Sequence, residues 1–449
     1  MQMTDLNFIF RFLPPMLAVY YLTPHRFRTF VLLIGSVFFY ALCDFKFLPL
    51  ILFAVIVNGL LSEGCFRGEK SFLTVAILFN VLLLVAFKFL GMHFGAALFP
   101  LGISFYTFKM ISFQTDLFRA HADKRPQMVQ TAAYFLLFAQ VMQGPIMRYD
   151  SMLACRAIRR IDVREILTRI EDGLKYFVAG FFLKVMVADR LSMCFAEIGR
   201  IGYESISTPL SWIGAATYSL NLYYDFWGYS LMAAGIGVML GFEFIENFRH
   251  PYAASSIAEF YRRWHMTLGG FFRDYVYVPL GGSRQGLLHT VRNLFIVWLL
   301  TGFWHGASLN FLLWGMVLFV LIVYEKTLFL RWPLKARRIL GHLHVLVFIP
   351  LTWVIFALPD REMLFHYFSR LFSVGATPFV VNASDYVSVL RDYWLYFALG
   401  VLFLIPGVYD TMIKHREKKS VTAILFALFW VCVYHVSRAS GNPFMYVNF

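Results

Sequence analysis

The sequence predicts an all-α, polytopic integral membrane protein, and three observations carry that prediction. Of 449 residues, 59% are apolar and only 15% charged, too little charge to coat a soluble globule of this length. Apolar runs of roughly 17–25 residues recur from end to end, each long enough to cross a hydrocarbon core about 30 Å thick. Alternating ten-residue strands are absent, so the pattern is that of a helical bundle and not of a barrel.

The N-terminal MQMTDLNFIFRFLPPMLAVYYL has neither the basic start nor the small-residue cleavage site of a removable signal, so its apolar run is expected to remain as the first span. Further runs fall near 29–43, 47–61, 71–90, 128–146, 174–190, 209–242, 294–324, 340–358, 393–410 and 420–436, with a shorter one at 99–113. No repeat recurs at the spacing of solenoids, and no duplicated half points to a transporter. Residues 1–449 are therefore expected to form one membrane domain of about 10–13 helices.

Three runs have unusual lengths. Residues 294–324 would make a helix of about 46 Å at 1.5 Å per residue, so this run should tilt steeply or break. Gly302 and Gly306 flank His305 within it, and glycine permits a break or a close backbone approach. The 209–242 run is of similar length, with Asp225 as its sole charge and Gly228 just beyond, and a second broken or kinked element is expected there. The 99–113 run carries Pro100 and Lys109 and is short, so it reads as re-entrant or interfacial.

Lys and Arg exceed Asp and Glu by 14, and the excess lies in loops. The positive-inside rule places 148–175, 247–293 and 414–419 in the cytoplasm and both termini outside. RAHADKRP at 119–126 is basic too, and a full span at 128–146 would put it on the opposite face from 148–175. Simple up-and-down packing is not expected in this part. The excess is also compatible with an anionic cytoplasmic ligand, such as a coenzyme phosphate or an acidic carrier protein. No basic module stands apart from the spans, which argues against nucleic-acid binding. The five cysteines are scattered without CxxC spacing, so neither a disulfide framework nor a zinc site is expected, and no bound metal or cofactor is implied.

His305 lies between Trp304 and Gly306, about eleven residues into an apolar run, where an ionisable side chain is costly and points to function. The alternative is a neutral imidazole hydrogen-bonded to a neighbouring helix. A desolvated histidine stays neutral and can act as a base. A second constellation is AEFYRRWHMTLGGFFRDYVYVPLGGSR at 258–284, where 256–272 has the spacing of an amphipathic interfacial helix. His265 sits there among aromatic and basic residues, either as a working group or as a snorkelling interfacial histidine. Gly281 and Gly282 after Pro279 mark a turn. Asp225 is a buried carboxylate that either orients a histidine or pairs with a buried cation. Lys109, Gln143 and Arg148 could meet a polar donor, although QGPIMRY equally suits a helix exit. GxSxG, HExxH and P-loop patterns are all missing, which leaves histidine-assisted transfer as the leading enzymatic option.

Together these blocks resemble the membrane-bound O-acyltransferase family, and most closely its bacterial branch of alginate O-acetyltransferases and teichoic-acid D-alanyl transferases. The resemblance runs in order through PLGISFYTFKMISFQTDLFRA (100–120), QGPIMRY (143–149), YYDFWGYSLMAAGIGVMLGF (223–242), ENFRHPY (246–252), FYRRWHMTLGGFFRDYVYVPLGG (260–282) and TGFWHGASLNFLLWG (301–315). ENFRHPY, PLGG and the terminal FMYVNF lean to the alginate type, whereas KMIS near residue 110 also fits the D-alanyl type.

The resemblance implies a ring of tilted, partly broken or re-entrant helices around a tunnel through a thinned centre. It makes His305 the catalytic histidine and His265 the second histidine of the site, with Asp225, Trp304 and Asn310 in support and Arg263 and Arg273 as contacts for donor phosphates. The implied reaction moves acetyl from cytoplasmic acetyl-CoA to an acceptor at the outer face of a bacterial inner membrane, in O-acetylation of envelope or extracellular polysaccharide. D-alanyl transfer from a carrier protein to teichoic acid is the alternative, and a polymer-export transporter the non-enzymatic one. Because the chain has little mass outside its spans on which to bind a polymer, it is expected to hand the acyl group to an outward-facing or periplasmic serine acyltransferase partner, which would serve the polysaccharide acceptor.

Overall fold

The computed structural model describes every residue except 96–97, 121–124, 142, 157–161, 307, 330–332, 374–381 and 439–449. Parts of the basic stretches 119–126 and 148–175, and the terminal FMYVNF, therefore lie outside the described residues. Every regular element among the described residues is helical. Among the described residues, seven helical stretches are long and apolar enough to cross a membrane: His25–Phe66, Lys70–Phe94, Leu287–His305, Leu309–Thr327, Arg337–Ala357, Asp385–Leu404 and Lys419–Arg438. The protein is an all-α, multi-pass membrane protein.

The chain divides into two compact units. The first comprises 1–181, 229–246 and 425–449. Apolar side chains cannot distinguish a neighbouring helix from lipid, so polar bonds and small residues do much of the joining in a membrane. Asn58 and Asn80 exchange side-chain hydrogen bonds at 3.1 and 2.8 Å, and Gln114 Nε2 donates to the Asn58 carbonyl at 2.7 Å. These bonds tie the helices Leu48–Phe66, Lys70–Phe94 and Ile103–Ala120 together. Gly173 and Gly235 meet so closely that a Cβ on either would lie 2.5 Å from the other's carbonyl oxygen.

The second unit comprises 182–228 and 247–424. Its centre is the antiparallel pair Leu287–His305 and Leu309–Thr327. A Cβ at Gly302 would lie 2.8 Å from the Phe311 carbonyl oxygen, and one at Gly315 2.6 Å from that of Trp298, so glycine sets the approach of these helices. Elsewhere in this unit, Asp385 accepts from the Ser207 amide at 2.9 Å and from its hydroxyl at 2.5 Å. Tyr367 Oη donates to the Ser211 carbonyl at 2.6 Å.

The 294–324 run breaks where its length and glycines indicate, with one helix ending at His305 and the next starting at Leu309. Three other expectations are corrected, and the 99–113 run proves to be part of a longer helix than its apolar length suggests. The 209–242 run forms a single unbroken 32-residue helix, Thr208–Met239. Its glycines serve packing, and Asp225 is neutralised by a lysine from another helix, so the helix has no need to open around the charge. The 99–113 run belongs to an 18-residue helix, Ile103–Ala120, whose buried Lys109 donates to the Tyr134 carbonyl at 2.8 Å. The 128–146 run holds a nine-residue helix, Met128–Leu136, followed by a short 3-10 turn, and this removes the full span assumed between the two basic stretches. The 256–272 stretch is two helices, Ile257–Arg263 and Met266–Phe272, parted at the residue that matters most.

Candidate active site

The site is built in the second unit from the break at His265. Ile257–Arg263 starts with a serine cap: Ser256 Oγ accepts from the Glu259 amide at 3.0 Å, while Glu259 Oε2 reaches back one residue further to accept from the Ser255 amide at 2.9 Å. The helix stops because the chain is captured from outside. The Arg249 amide donates to the Arg263 carbonyl at 2.9 Å, and the Met266 amide to the Asn247 carbonyl at 2.9 Å. His265, between these bonds, adopts φ 43°, ψ 55°, the left-handed region that disfavours a residue with a β-carbon by about 1–2 kcal/mol. Such strain persists where the surroundings over-determine it, and it concentrates at working sites.

Asn247 decides the state of the His265 ring. Its Oδ1 accepts from the Thr267 amide at 3.2 Å and the Thr267 hydroxyl at 2.9 Å, and lies 3.1 Å from His265 Nδ1. An oxygen can only accept, so Nδ1 carries the proton and Nε2 presents a lone pair. Nε2 has no hydrogen-bond partner among the described residues. His265 lies outside the seven spans, is 4% exposed, and burial pushes its imidazole down to about 3. It is a neutral base in a fixed tautomer.

His305 ends the Leu287–His305 helix and is 7% exposed. The Trp304 ring lies 4.4 Å from it and 6.4 Å from the His265 ring, so one indole connects the two histidines. Around His305 stand Trp314 at 5.1 Å and Phe356 at 5.0 Å, both edge-on. Trp314 stacks on Trp353 at 5.5 Å, and Trp353 lies 5.1 Å from Trp264. The chain from Trp264 to His265 closes a circuit of six rings. Asn310 fastens the turn after His305, accepting from Ser308 Oγ at 2.6 Å and donating to the Phe356 carbonyl at 2.9 Å. Walls of this kind exclude water and strengthen every charge interaction inside them.

The structure thus brings together His265, His305, Trp304 and Asn310, four of the residues picked out in the sequence. Asp225 is held by a lysine: Lys184 Nζ meets its Oδ1 at 2.7 Å and Asp189 Oδ1 at 2.5 Å, and its neighbour Phe226 packs on His265 at 4.6 Å. Arg263 pairs with Glu259 at 2.5 Å and Arg273 with Asp274 at 2.7 Å, so each has a carboxylate in hand. Gly281 and Gly282 form a turn whose carbonyl oxygen at Gly282 accepts from Asn293 at 2.9 Å. Asn247, Trp314 and Trp353 were not singled out in the sequence. ENFRHPY did flag the first of them by block, but no rule of spacing pairs it with a histidine 18 residues on.

Comparison with known proteins fits this geometry. The sequence profile of the membrane-bound O-acyltransferase family matches residues 67–358, a stretch that holds both histidines and the whole ring circuit. The chain belongs to the membrane-bound O-acyltransferase family. It is an acyltransferase. A probable alginate O-acetylase of Pseudomonas fluorescens is 34% identical over 382 residues, covering 82% of this chain and 75% of the relative. The peptidoglycan O-acetyltransferase of Helicobacter pylori is 30% identical over 408 residues, with 79% and 76% covered. The teichoic acid D-alanyltransferase of Bacillus subtilis is 26% identical over 245 residues, with 53% and 61% covered.

Proposed function

We propose that this acyltransferase moves an acetyl group from cytoplasmic acetyl-CoA to an acceptor hydroxyl at the outer face of a bacterial inner membrane, in O-acetylation of envelope or extracellular polysaccharide. The observation that carries the reading is the pair of buried histidines joined through Trp304 inside one aromatic enclosure. Acetyl is favoured over D-alanyl because similarity to the two O-acetylating relatives is higher and extends over more of the chain.

In this reading His305 takes the proton of the acceptor hydroxyl as its oxygen attacks the thioester carbonyl. The C–S bond then breaks, the new ester leaves on the acceptor, and the proton passes to the departing thiolate to give free CoA. General-base help of this kind contributes about 10²–10⁴-fold. His265, held with Nε2 as an acceptor, receives a hydrogen bond from an amide N–H of the donor's arm and holds the thioester in line. A second protein, an outward-facing serine acyltransferase, takes the group on to the polymer.

Inside-out vesicles from cells expressing the chain and supplied with acetyl-CoA should release thiol and label the envelope glycan, and His305→Ala should abolish both while the protein still inserts. Full thiol release by His305→Ala would sink the assignment, and substrate export without thiol release would favour a transporter.

A further inference from the structure

At the other end of the Leu309–Thr327 helix lies a cleft of about 600 Å³, lined by Ser255, Arg262, Lys326, Lys335, Arg337 and Arg338 together with Glu259 and Glu325. Five cations thus face two carboxylates, and both carboxylates are engaged. Glu325 accepts from the Ile257 and Ala258 amides at 2.6 and 3.0 Å, and Glu259 holds Ser255 and Arg263. Arg262, Lys326, Lys335 and Arg338 enter no salt bridge among the described residues. Lys335, Arg337 and Arg338 also stand in the first turns of Leu334–Ala357, the end of a helix that favours anions and disfavours cations. A Cβ at Gly341 would lie 1.8 Å from the Ser255 carbonyl oxygen, so the close approach of backbone there fixes the cleft's wall. The arrangement is a built concavity with charge left over.

Its distance from the histidines is informative. Trp314, against His305, and Glu325, in the cleft, are eleven residues apart on one helix, a rise of about 16 Å. The pantetheine arm of CoA has about thirteen bonds from sulfur to phosphorus and extends to about 15 Å, at the reach of three backbone bonds per 3.5 Å. We propose that this cleft seats the phosphates of the nucleotide end of CoA through Arg262, Lys326, Lys335 and Arg338, so that the arm delivers the thioester to His305. The inference rests on the acyl-transfer reading and adds a consequence to it: the donor is selected by its nucleotide, and a carrier protein, which has none, is disfavoured.

The test compares two donors and one fragment. In inside-out vesicles, Lys335→Glu/Arg338→Glu should raise the KM for acetyl-CoA at least tenfold and change kcat less than twofold. The same variant should leave the KM for S-acetylpantetheine, which lacks phosphates, where it was. Protein in nanodiscs should bind adenosine 3′,5′-bisphosphate, and the variant should bind it at least tenfold more weakly, whereas Lys335→Arg/Arg338→Lys should keep the wild-type affinity. An acetyl-CoA KM within twofold of wild type overturns the cleft assignment alone, and so does an equal rise for both donors. It also fails if the variant merely loses a stabilisation by cardiolipin-containing nanodiscs with donor discrimination unchanged, for then the occupant is a lipid headgroup. Wild-type vesicles that release thiol from neither donor overturn the acyl-transfer reading, and the cleft assignment with it.

Discussion

Asn247 Oδ1 sits 3.1 Å from His265 Nδ1 and takes two further bonds from Thr267, so a single amide oxygen fixes both the tautomer of the histidine and the start of the helix after it. Replacing Asn247 with Asp keeps the shape and adds a buried negative charge, which raises the histidine's affinity for a proton. A neighbouring opposite charge shifts a pKa by about 1–3 units, so from a starting value of about 3 activity of Asn247→Asp should develop an acid limb, falling as pH drops below about 6 while wild type holds to lower pH. A pH–rate profile from inside-out vesicles checks this, and identical profiles would show that the contact does not govern His265.

Burial of a neutral His265 also sets a pH dependence of stability. Its folded value, about 3, lies below the ordinary value of about 6.5, so between these the unfolded chain binds more protons than the folded one. The contribution is complete above pH 6.5 and is lost as pH falls, by up to about 1.4 kcal/mol per unit. Melting in detergent should show apparent Tm falling between pH 6.5 and 5, and His265→Gln should flatten that slope.

Lys184 bridges Asp225 and Asp189, and it is 3% exposed. Removing one partner of a buried pair costs about 3–5 kcal/mol. Lys184→Met leaves two carboxylates facing each other, whereas Asp225→Asn leaves the lysine still paired with Asp189. The first should lower the melting temperature clearly more than the second. Asp225→Asn should also keep kcat within a few-fold of wild type; a loss approaching that of His305→Ala would place the carboxylate in the chemistry.

Gly341 has no room for a β-carbon against Ser255. Gly341→Ala should destabilise by about 1–3 kcal/mol, the usual cost of overpacking. If the cleft wall shifts with it, KM for acetyl-CoA should rise more than KM for S-acetylpantetheine, measurable in the same vesicles.

What the sequence disclosed and what it withheld follow from the range of the forces involved. The break beside His305 is local: excess length and two glycines announce it. The helix through Asp225 stays whole because of Lys184, 41 residues earlier in the chain, a partner that no periodicity reveals. The break at His265 was hidden for a similar reason, since Phe260, Trp264 and Leu268 carry a continuous helical pattern and the interruption is imposed by Asn247 and Arg249 from another segment. Nothing in the sequence links Lys335, Arg337 and Arg338 to Arg262, more than 70 residues earlier, and only the cleft gathers them. Arg263 and Arg273, expected as contacts for donor phosphates, are each paired with a carboxylate.

The ring circuit around His305 has one more consequence. Its tryptophans, and Phe356 beside it, each turn about only two side-chain bonds, and neighbouring rings lock them. The rings beside the imidazole are therefore set in place when the chain folds, with little capacity to move apart. On the proposed reading, a long acyl chain beside His305 would have to displace stacked indoles, so the stiffness of these rings, rather than any one contact, would limit acyl length.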